Sequence, residues 1–342
     1  MPHLPHAELC DLLDRVLTRH GVRPEIAGHV SRGLIETSLR GVDSHGVQLF
    51  PHYIDALRAG RINGAPNLRF TRESPATAAL DADHTFGHAA GAVAEERAIA
   101  MAEKVGVGLV TVSNSTHFGA AAYFGLMAAR RDMLGLAFTH ATPHVLYPGA
   151  DQPTIGPNAL CFAAPMDGEE PFCLDMATST VTFNRLKLAQ AAGEAIEPGW
   201  GADEKGVPST DPAQVAHLFP IGGYKGYGLA MMLDIMCGLL SGMPVGPFVS
   251  RMYGVPLSEK RHLGHCFGAV AVSAFEDLPT FKLRMRTYCD GLRSQSMRDP
   301  AGQAMVPGDP EKKTYQIRSR DGIPVASELY AKLQTLDVEA TV

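Results

Sequence analysis

Apolar residues at helical spacing mark the beginning of the chain. Leu9, Leu12 and Val16 recur at intervals that bring them onto one face of a helix. A second helix is predicted over residues 24–40, since proline is favoured in a first helical turn and a glycine follows the last periodic residue. The pattern therefore predicts an N-terminal part built from amphipathic helices, with a further helix near residues 49–59.

The middle of the chain alternates short apolar runs with Ala-rich stretches, which is typical of a mixed α/β fold. The apolar runs predict strands over residues 76–83, 107–112, 134–139, 160–164, 172–175 and 268–272. The Ala-rich or amphipathic stretches predict helices over residues 88–104, 120–131, 180–192 and 224–241, with a loop over 197–212. The tail after residue 276 is predicted to be helical, then loop-like around 300–309, then helical from Val325.

The composition is that of a globular protein with an ordinary core. The 342 residues are 45% hydrophobic and 19% charged. The net charge of −6 and the absence of a long basic run argue against a nucleic-acid partner. The most apolar stretch, residues 228–240, is interrupted by Asp234 and is shorter than the roughly 18 residues of a membrane span. No membrane association is expected.

The six cysteines include no C-x-x-C pair, and most lie in apolar runs. This distribution is typical of reduced core thiols in a cytosolic protein. The chain does not open with the basic and apolar regions of a secretory signal. We therefore expect a cytoplasmic protein.

Several sequence motifs that are each typical of one class of enzyme are absent. No G-x-G-x-x-G dinucleotide fingerprint, P-loop or G-x-S-x-G nucleophile elbow occurs. His140 and His144 have a four-residue spacing, but Pro143 between them disfavours the continuous helix that a helical metal pair needs. No metal site is predicted, and these patterns alone indicate only an α/β protein, of enzymatic character.

Three short segments place His, Ser, Asp or Lys among glycines at the ends of apolar elements, where backbone amides are exposed and a ligand can approach closely. The first polar segment is residues 40–46, the second is residues 113–119, and the third is residues 222–228. Each is a candidate for chemistry, and each has a structural alternative.

In the first segment, Ser44 beside His45 offers a proton donor with a hydrogen-bonded relay, or else Asp43 or Ser44 is a helix cap. The second segment lies between a strand and a helix, where backbone amides can hold an anion, or else it is a simple loop and cap. In the third, Lys225 among glycines can reach an anionic group, or else it is a solvated lysine in a flexible lead-in to the helix.

These segments belong to a longer series of short motifs that follow one another along almost the whole chain. The motifs are Arg40-Gly41-Val42-Asp43-Ser44-His45-Gly46-Val47, Asn114-Ser115-Thr116-His117-Phe118-Gly119, Asp175-Met176-Ala177-Thr178-Ser179, Pro198-Gly199-Trp200, Asp211-Pro212, Gly222-Gly223-Tyr224-Lys225-Gly226-Tyr227-Gly228-Leu229, Val306-Pro307-Gly308-Asp309 and Gly322-Ile323-Pro324. Their order resembles the type 2 malate/L-lactate dehydrogenase family, which includes ureidoglycolate dehydrogenases, diketogulonate reductases, sulfolactate dehydrogenases and cyclic imino-acid reductases.

The resemblance implies an α/β fold with a non-Rossmann sheet domain for the nicotinamide cofactor, NAD or NADP, which would explain the missing glycine fingerprint. It also implies a discontinuous helical domain made of residues 1–75 and 275–342, and a cofactor domain over residues 76–274. A mostly helical portion is expected near residues 205–262. The family is typically dimeric, so a homodimer is expected.

The resemblance also implies roles for individual residues. His45 would be the proton donor or acceptor at the substrate oxygen, with Ser44 as its relay partner, and His117 would face the substrate or act as the base. The implied cofactor contacts are His117, Phe118, Gly119, Ala120, Asp175, Met176, Ala177, Thr178, Ser179, Tyr224, Lys225, Gly308 and Asp309. The implied substrate contacts are Gln48, Leu49, Tyr53 and Arg185.

This chain departs from the family pattern on the substrate side. The family often has an arginine four residues after the central histidine, suited to a substrate carboxylate, and here that position is Leu49. The hypothesis that follows is that Arg185 supplies the missing carboxylate contact.

The predicted reaction is hydride transfer between NAD(P) and a small 2-hydroxy or 2-oxo acid such as malate, lactate or ureidoglycolate. The alternatives are a cyclic imino-acid reductase, a family member that only binds ligand, and a hydrolase using Ser44 and His45. The loop over residues 139–144 carries no acidic residue to repel a 2′-phosphate, which favours a cofactor choice not limited to NAD.

Overall fold

The computed structural model describes residues 2–299 and 301–339. Its α-helices are α1 (His6–Arg19), α2 (Pro24–Leu39), α3 (Phe50–Arg58), α4 (Gly87–Val105), α5 (Ala122–Ala129), α6 (Phe183–Ala192), α7 (Tyr224–Asp234), α8 (Leu278–Arg293), α9 (Asp309–Asp321) and α10 (Ser327–Val338). Its strands are β1 (His3–Leu4), β2 (Arg69–Glu73), β3 (Thr77–Asp81), β4 (Val107–Ser115), β5 (Met133–Thr139), β6 (Val145–Leu146), β7 (Pro153–Ile155), β8 (Ala159–Ala164), β9 (Phe172–Ala177), β10 (Gly201–Ala202), β11 (His217–Leu218), β12 (Leu263–Ala271) and β13 (Ile323–Pro324).

The largest sheet of the described residues has seven strands in the order β2-β3-β4-β12-β5-β8-β9. Only β3 and β4 pair in parallel, and the other neighbours are antiparallel. The Ala-rich helices α4 and α5 cover it closely. Gly108 on β4 faces the carbonyl of Ala98 in α4, and a Cβ there would overlap that oxygen. Small residues on both partners therefore bring helix and sheet into contact.

A second core joins the two ends of the chain. Leu13, Val30 and Phe50 from the N-terminal helices are fully buried with Leu333 of α10. Strand β1 pairs antiparallel with β13, which holds the first residues of the chain beside the C-terminal helices. Helix α8 is the exception among the C-terminal elements, because it packs through Cys289 on a separate small core with Met166 and Val306.

A small four-stranded sheet, in the order β10-β11-β6-β7, lies beside the large one. Its core includes Val145, Leu186 and Leu218. Within residues 205–262, helix is limited to α7, the π-helical turn Ile235–Leu239 that continues it, and the 3-10 turn Gly246–Phe248. The expectation of a mostly helical portion near 205–262 is corrected accordingly, since glycines and prolines break up the rest of this region.

Most predicted elements are present. The pattern did not predict β2, which is an exposed edge strand, or α9, whose residues are mostly charged and carry no apolar stripe. Strand β12 also begins earlier than predicted, at Leu263. No helix within the described residues is long and apolar enough to cross a membrane.

Candidate active site

A cleft of about 980 Å³ opens between the helical core and the large sheet. Its walls come mainly from the end of α2 with the turn that follows, the start of α5, strand β9, helix α6 and the lead-in to α9. Three of its glycines, Gly41, Gly119 and Gly308, have positive φ angles. Because these positions favour glycine, the cleft walls present backbone rather than side chains there.

The turn that carries His45 is fixed at both ends. Asp43–His45 forms a 3-10 turn after α2. Arg318 of α9 donates two hydrogen bonds to the Asp43 carboxylate, at 2.6 and 2.9 Å. Beyond His45, the backbone N–H of Val47 donates to the Ser38 hydroxyl at 3.0 Å, and a Cβ on Gly46 would overlap that hydroxyl. The segment therefore has little freedom to move.

His45 faces the cleft, and its ring lies next to Ser44, the residue before it in the chain. Its Nδ1 lies 3.0 Å from the Ser44 hydroxyl. Burial lowers the pKa of His45 below the usual 6.5. The ring is therefore neutral at pH 7, which is the protonation state that a base requires.

His117 lies next to His45, with ring centroids 5.7 Å apart. Its Nδ1 is 2.7 Å from the Tyr53 hydroxyl and also accepts from the backbone N–H of Gly119 at 3.4 Å. Burial raises the pKa of Tyr53, so its hydroxyl keeps its proton and donates it to that nitrogen. Two donors at Nδ1 place the proton of the neutral His117 ring on Nε2.

Burial, followed by nearby His45, also holds the pKa of His117 well below its usual value. His88 lies behind the pair, with its ring edge against Tyr53 and beside Gly119. Neither ring nitrogen of His88 has a partner among the described residues, and burial lowers its pKa to about 3. All three imidazoles are therefore neutral near pH 7.

The sheet contributes a carboxylate to the cleft. Asp175 on β9 accepts a hydrogen bond from the backbone N–H of Ala122 at 2.8 Å. The carboxylate is reached from the cleft, yet the surrounding walls remove enough water to raise its pKa to about 6, and nearby Glu311 adds to the rise. The cleft lining thus includes Asp175 on β9 and Glu311 on α9, in addition to Glu36 and Asp43, which are paired with arginines.

Two buried arginines, Arg61 and Arg261, lie near His52, the residue before Tyr53. Arg61 donates to the carbonyls of Met252, Pro256 and Glu259, and so holds the loop before β12. Arg261 donates through Nε and Nη2 to Ser250 and Thr142, while its Nη1 has no hydrogen bond among the described residues. Neither guanidinium forms an ion pair with a carboxylate within the described ranges. Burial and the like charge of Arg61 lower the pKa of Arg261 to about 10, so it stays charged.

Nine of the residues implied by the resemblance line the cleft. They are Ser44, His45, Gln48, Gly119, Ala120, Asp175, Met176, Ala177 and Gly308. His117 and Tyr53 join them through the ring contact and hydrogen bond described above.

The structure places the other eight outside the cleft lining. Phe118 is a core residue stacked on His265 at 4.8 Å. Thr178 and Ser179 are buried, Leu49 packs against the helical core, and Asp309 is bound by Arg293. Arg185 lies over the Trp200 ring, 5.9 Å from its centroid, and Tyr224 and Lys225 are exposed at the start of α7. The side chain of Phe118 therefore points into the sheet core and away from the cleft.

Several cleft residues were not identified from sequence. Arg40 lines the cleft with its side chain almost fully buried, bound to Glu36 and Glu170 at 3.0 Å each. Tyr123 and Asn184 also line it. Arg40 is the first residue of the first polar segment, so its position in the sequence could have identified it. No feature of the sequence marks Tyr123. The described residues contain no cluster of His, Cys, Asp or Glu that could hold a metal ion.

Comparison with known proteins gives a consistent result. The model of the malate/L-lactate dehydrogenase family matches residues 4–334. The malate dehydrogenase of Pyrococcus abyssi is 35% identical over 97% of this chain and 93% of its own length. The NAD⁺-dependent ureidoglycolate dehydrogenase of Escherichia coli is 32% identical over 95% of this chain and 93% of its own length. The crystal structure of malate dehydrogenase from Entamoeba histolytica superposes with a TM-score of 0.91 at 31% identity, covering 98% of this chain and 97% of that one.

Proposed function

Because the chain belongs to the malate/L-lactate dehydrogenase family, we propose that its cleft binds NAD and a 2-hydroxy acid and that His45 moves the proton. Family membership makes the protein an oxidoreductase that transfers hydride between a nicotinamide cofactor and a small 2-hydroxy or 2-oxo acid. The observation that carries the proposal is the neutral, cleft-facing His45, bonded to Ser44 and fixed by its turn.

The two neighbouring histidines have complementary roles in this proposal. The proposed role requires the His45 tautomer with its proton on Nδ1, where the Ser44 hydroxyl lies 3.0 Å away, so that Nε2 carries the lone pair that takes the proton of the substrate hydroxyl during oxidation. His117 carries its proton on Nε2 because Tyr53 donates to Nδ1, so it donates a hydrogen bond to the same oxygen. One ring accepts and the other donates, which suits a carbon–oxygen bond that changes between alcohol and carbonyl.

The cleft fits a nicotinamide dinucleotide, which supplies the hydride acceptor when bound. Its volume lies at the upper end of the range for small-molecule sites, and its glycines allow backbone amides to approach the ligand. We assign cofactor binding to the sheet part, residues 76–274, through Gly119, Ala120 and β9. The helical parts, residues 1–75 and 275–342, supply His45 and Gly308. The large sheet, with only one parallel pair, supports a cofactor domain that is not of the Rossmann type.

The charges of the cleft favour NAD over NADP. Asp175 and Glu311 both line it, and Glu311 has no ion pair within the described part of the chain. Carboxylates accept hydrogen bonds from a ribose diol and repel a 2′-phosphate. The loop over residues 139–144, which favoured a broader choice on sequence grounds, does not line the cleft. Titrating the protein with NADH and with NADPH tests the proposal, and NADH should bind more tightly. In the Glu311→Gln variant, the difference between the two affinities should become smaller.

Arg261 is the best candidate for the substrate carboxylate. It is a buried cation without a carboxylate partner, it lies close enough to His117 to affect its pKa, and Nη1 is unpartnered within the described residues. A buried guanidinium of this kind is stabilised by an anionic ligand. Arg185, the residue that the sequence suggests for this contact, is exposed, and its guanidinium lies over the Trp200 ring.

Comparing Arg261→Lys with Arg185→Ala separates these two arginines. Lysine keeps the charge but loses the planar fork, so we expect KM for a 2-oxo acid to rise about tenfold or more at Arg261, with unchanged cofactor affinity. Arg185→Ala should leave KM within about twofold. A larger increase in KM for Arg185→Ala than for Arg261→Lys would instead assign the contact with the substrate carboxylate to Arg185.

A homodimer is supported by an apolar stripe along α7 and the turn after it. Tyr224, Met231, Ile235 and Leu239 lie on one helical face and are 49–67% exposed. The stripe carries no charge, and we propose that a second copy of the chain covers it. Light scattering on Ile235→Glu/Leu239→Glu should report a monomer, while Phe275→Glu, at an exposed position away from the stripe, should leave the mass of the wild type unchanged.

The function as a whole is tested by cofactor fluorescence and a substrate panel. We expect NADH to bind and to be oxidised by one or more members of a set of small 2-oxo acids. Turnover of cyclic imines instead would make the protein an imino-acid reductase of the same family. Binding without turnover across the panel would mean that it only binds ligand, and failure to bind either cofactor would overturn the proposal.

A further inference from the structure

Arg318 makes the contact that connects the C-terminal helices to the catalytic turn. Its guanidinium is mostly buried, with 15% of the side chain exposed, and grips both oxygens of Asp43. Its Nη1 also donates to the carbonyl of Ser38 at 2.6 Å. Bidentate, charge-assisted pairs of this kind fix orientation as well as position. Asp43 is two residues before His45, so the grip acts directly on the turn.

The same helix reaches the cleft at its other end. Gly308 and Glu311, at the start of α9, line the cleft, while Arg318 lies seven residues beyond Glu311. Seven residues are about two helical turns and about 10 Å, so the two side chains lie on the same face of α9. Tyr315, between them, lies under the guanidinium of Arg40, which also lines the cleft. One rigid helix therefore touches both the wall of the cleft and the catalytic turn.

We propose that Arg318 is a positioning residue that sets the direction of the His45 ring through Asp43. It is not among the residues that line the cleft. Its guanidinium holds Asp43, the first residue of the 3-10 turn, and the Ser38 hydroxyl accepts from Val47, two residues beyond the end of the turn, so the ring between these two anchors points into the cleft. The inference rests on the proposed role of His45.

The test compares Arg318→Met with Arg318→Lys and Asp43→Asn in the full-length protein. Methionine keeps most of the apolar stem and removes the fork, so we expect kcat to fall up to about 100-fold, because small misplacements of a catalytic group have effects of that size. NADH affinity, measured by fluorescence, should stay within about twofold. Lysine should restore part of kcat because it keeps one charged bond to Asp43.

A double-mutant cycle shows whether Arg318 acts through Asp43. We expect Arg318→Met/Asp43→Asn to lose no more kcat than the more severe single variant. Arg320→Met is the matched control, since Arg320 is exposed on the same helix and, among the described residues, pairs only with its neighbour Asp321. It should leave kcat unchanged.

Three outcomes would overturn the inference. They are an Arg318→Met enzyme with wild-type kcat, additive losses in the double variant, or a parallel loss of NADH affinity and melting temperature that lysine does not restore. A fully active His45→Asn enzyme would instead remove the proposed function on which the inference rests. An inactive His45→Asn together with an active Arg318→Met would reject the inference alone.

Discussion

The first polar segment, residues 40–46, and the third, residues 222–228, are both short glycine-containing runs with a candidate reactive side chain, but that side chain is held in place only in the first. Arg318 and Ser38 hold the turn around His45 from outside the segment. The side chain of Lys225 is exposed and has no hydrogen bond or ion pair among the described residues. A similar sequence pattern therefore occurs in two different structural settings, and contacts with residues far away in the sequence distinguish them.

The third segment nonetheless lies near the cleft. Ile221 donates its backbone N–H to the carbonyl of Thr178 at 2.9 Å, and Ser179 pairs with Pro220, so the start of α7 is tied to the end of β9. Lys225 can therefore reach a ligand at the rim without being fixed. The first segment should control the rate of the reaction, and the third should affect only how tightly a negatively charged cofactor is held.

The largest effect is expected from His45→Asn. Asparagine cannot take a proton, so kcat should fall about 10²- to 10⁴-fold, the usual contribution of general acid–base catalysis. NADH affinity should change little. His6→Asn, at an exposed histidine on α1, is the matched control. A kcat within threefold of wild type would move the acid–base role to another residue, with His117 the next to test.

Gly46→Ala tests whether the turn is as tightly fixed as its contacts indicate. The new Cβ would overlap the hydroxyl of Ser38. We expect a loss of about 1–3 kcal/mol in the free energy of unfolding, typical of overpacking, together with reduced kcat. Adding Ser38→Ala removes the overlapping atom, so the glycine substitution should cost less in that background. Equal costs in both backgrounds would contradict this account of the turn.

For the first segment, the sequence pointed to the candidate residues but not to the contacts that hold them. Ser44 and His45 were recognisable from residue type and neighbouring glycines, whereas Arg318 lies 275 residues away from Asp43 and belongs to a helix without an apolar stripe. Phe118 shows a second limit of prediction from sequence motifs, which is the direction of a side chain. It belongs to a matching motif, but the direction of its side chain depends on how β4 and α5 pack, which the motif does not encode.

The pH dependence of the two reaction directions should differ in sign. Oxidation requires neutral His45, and because burial lowers its pKa below 6.5, the oxidation rate should rise with pH and level off by about pH 7. Reduction requires the protonated ring, so its rate should fall about tenfold per pH unit above that pKa. The neighbouring His117 and His88 stay neutral across this range because burial lowers their pKa values further. Stopped-flow rates in both directions would check this, and parallel profiles would contradict it.

The smallest effect is expected from Lys225→Ala. An exposed ammonium that meets a ligand at the rim contributes about 0.2–1 kcal/mol and is screened by salt. The dissociation constant for NADH should therefore rise no more than about fivefold, with kcat unchanged, and the difference from wild type should shrink as ionic strength increases. Lys205→Ala, at another exposed loop lysine, should have no effect. A large fall in kcat for Lys225→Ala would mean that the ligand-bound protein holds the third segment as firmly as the first. The difference between the two segments would then be a property of the ligand-free protein alone.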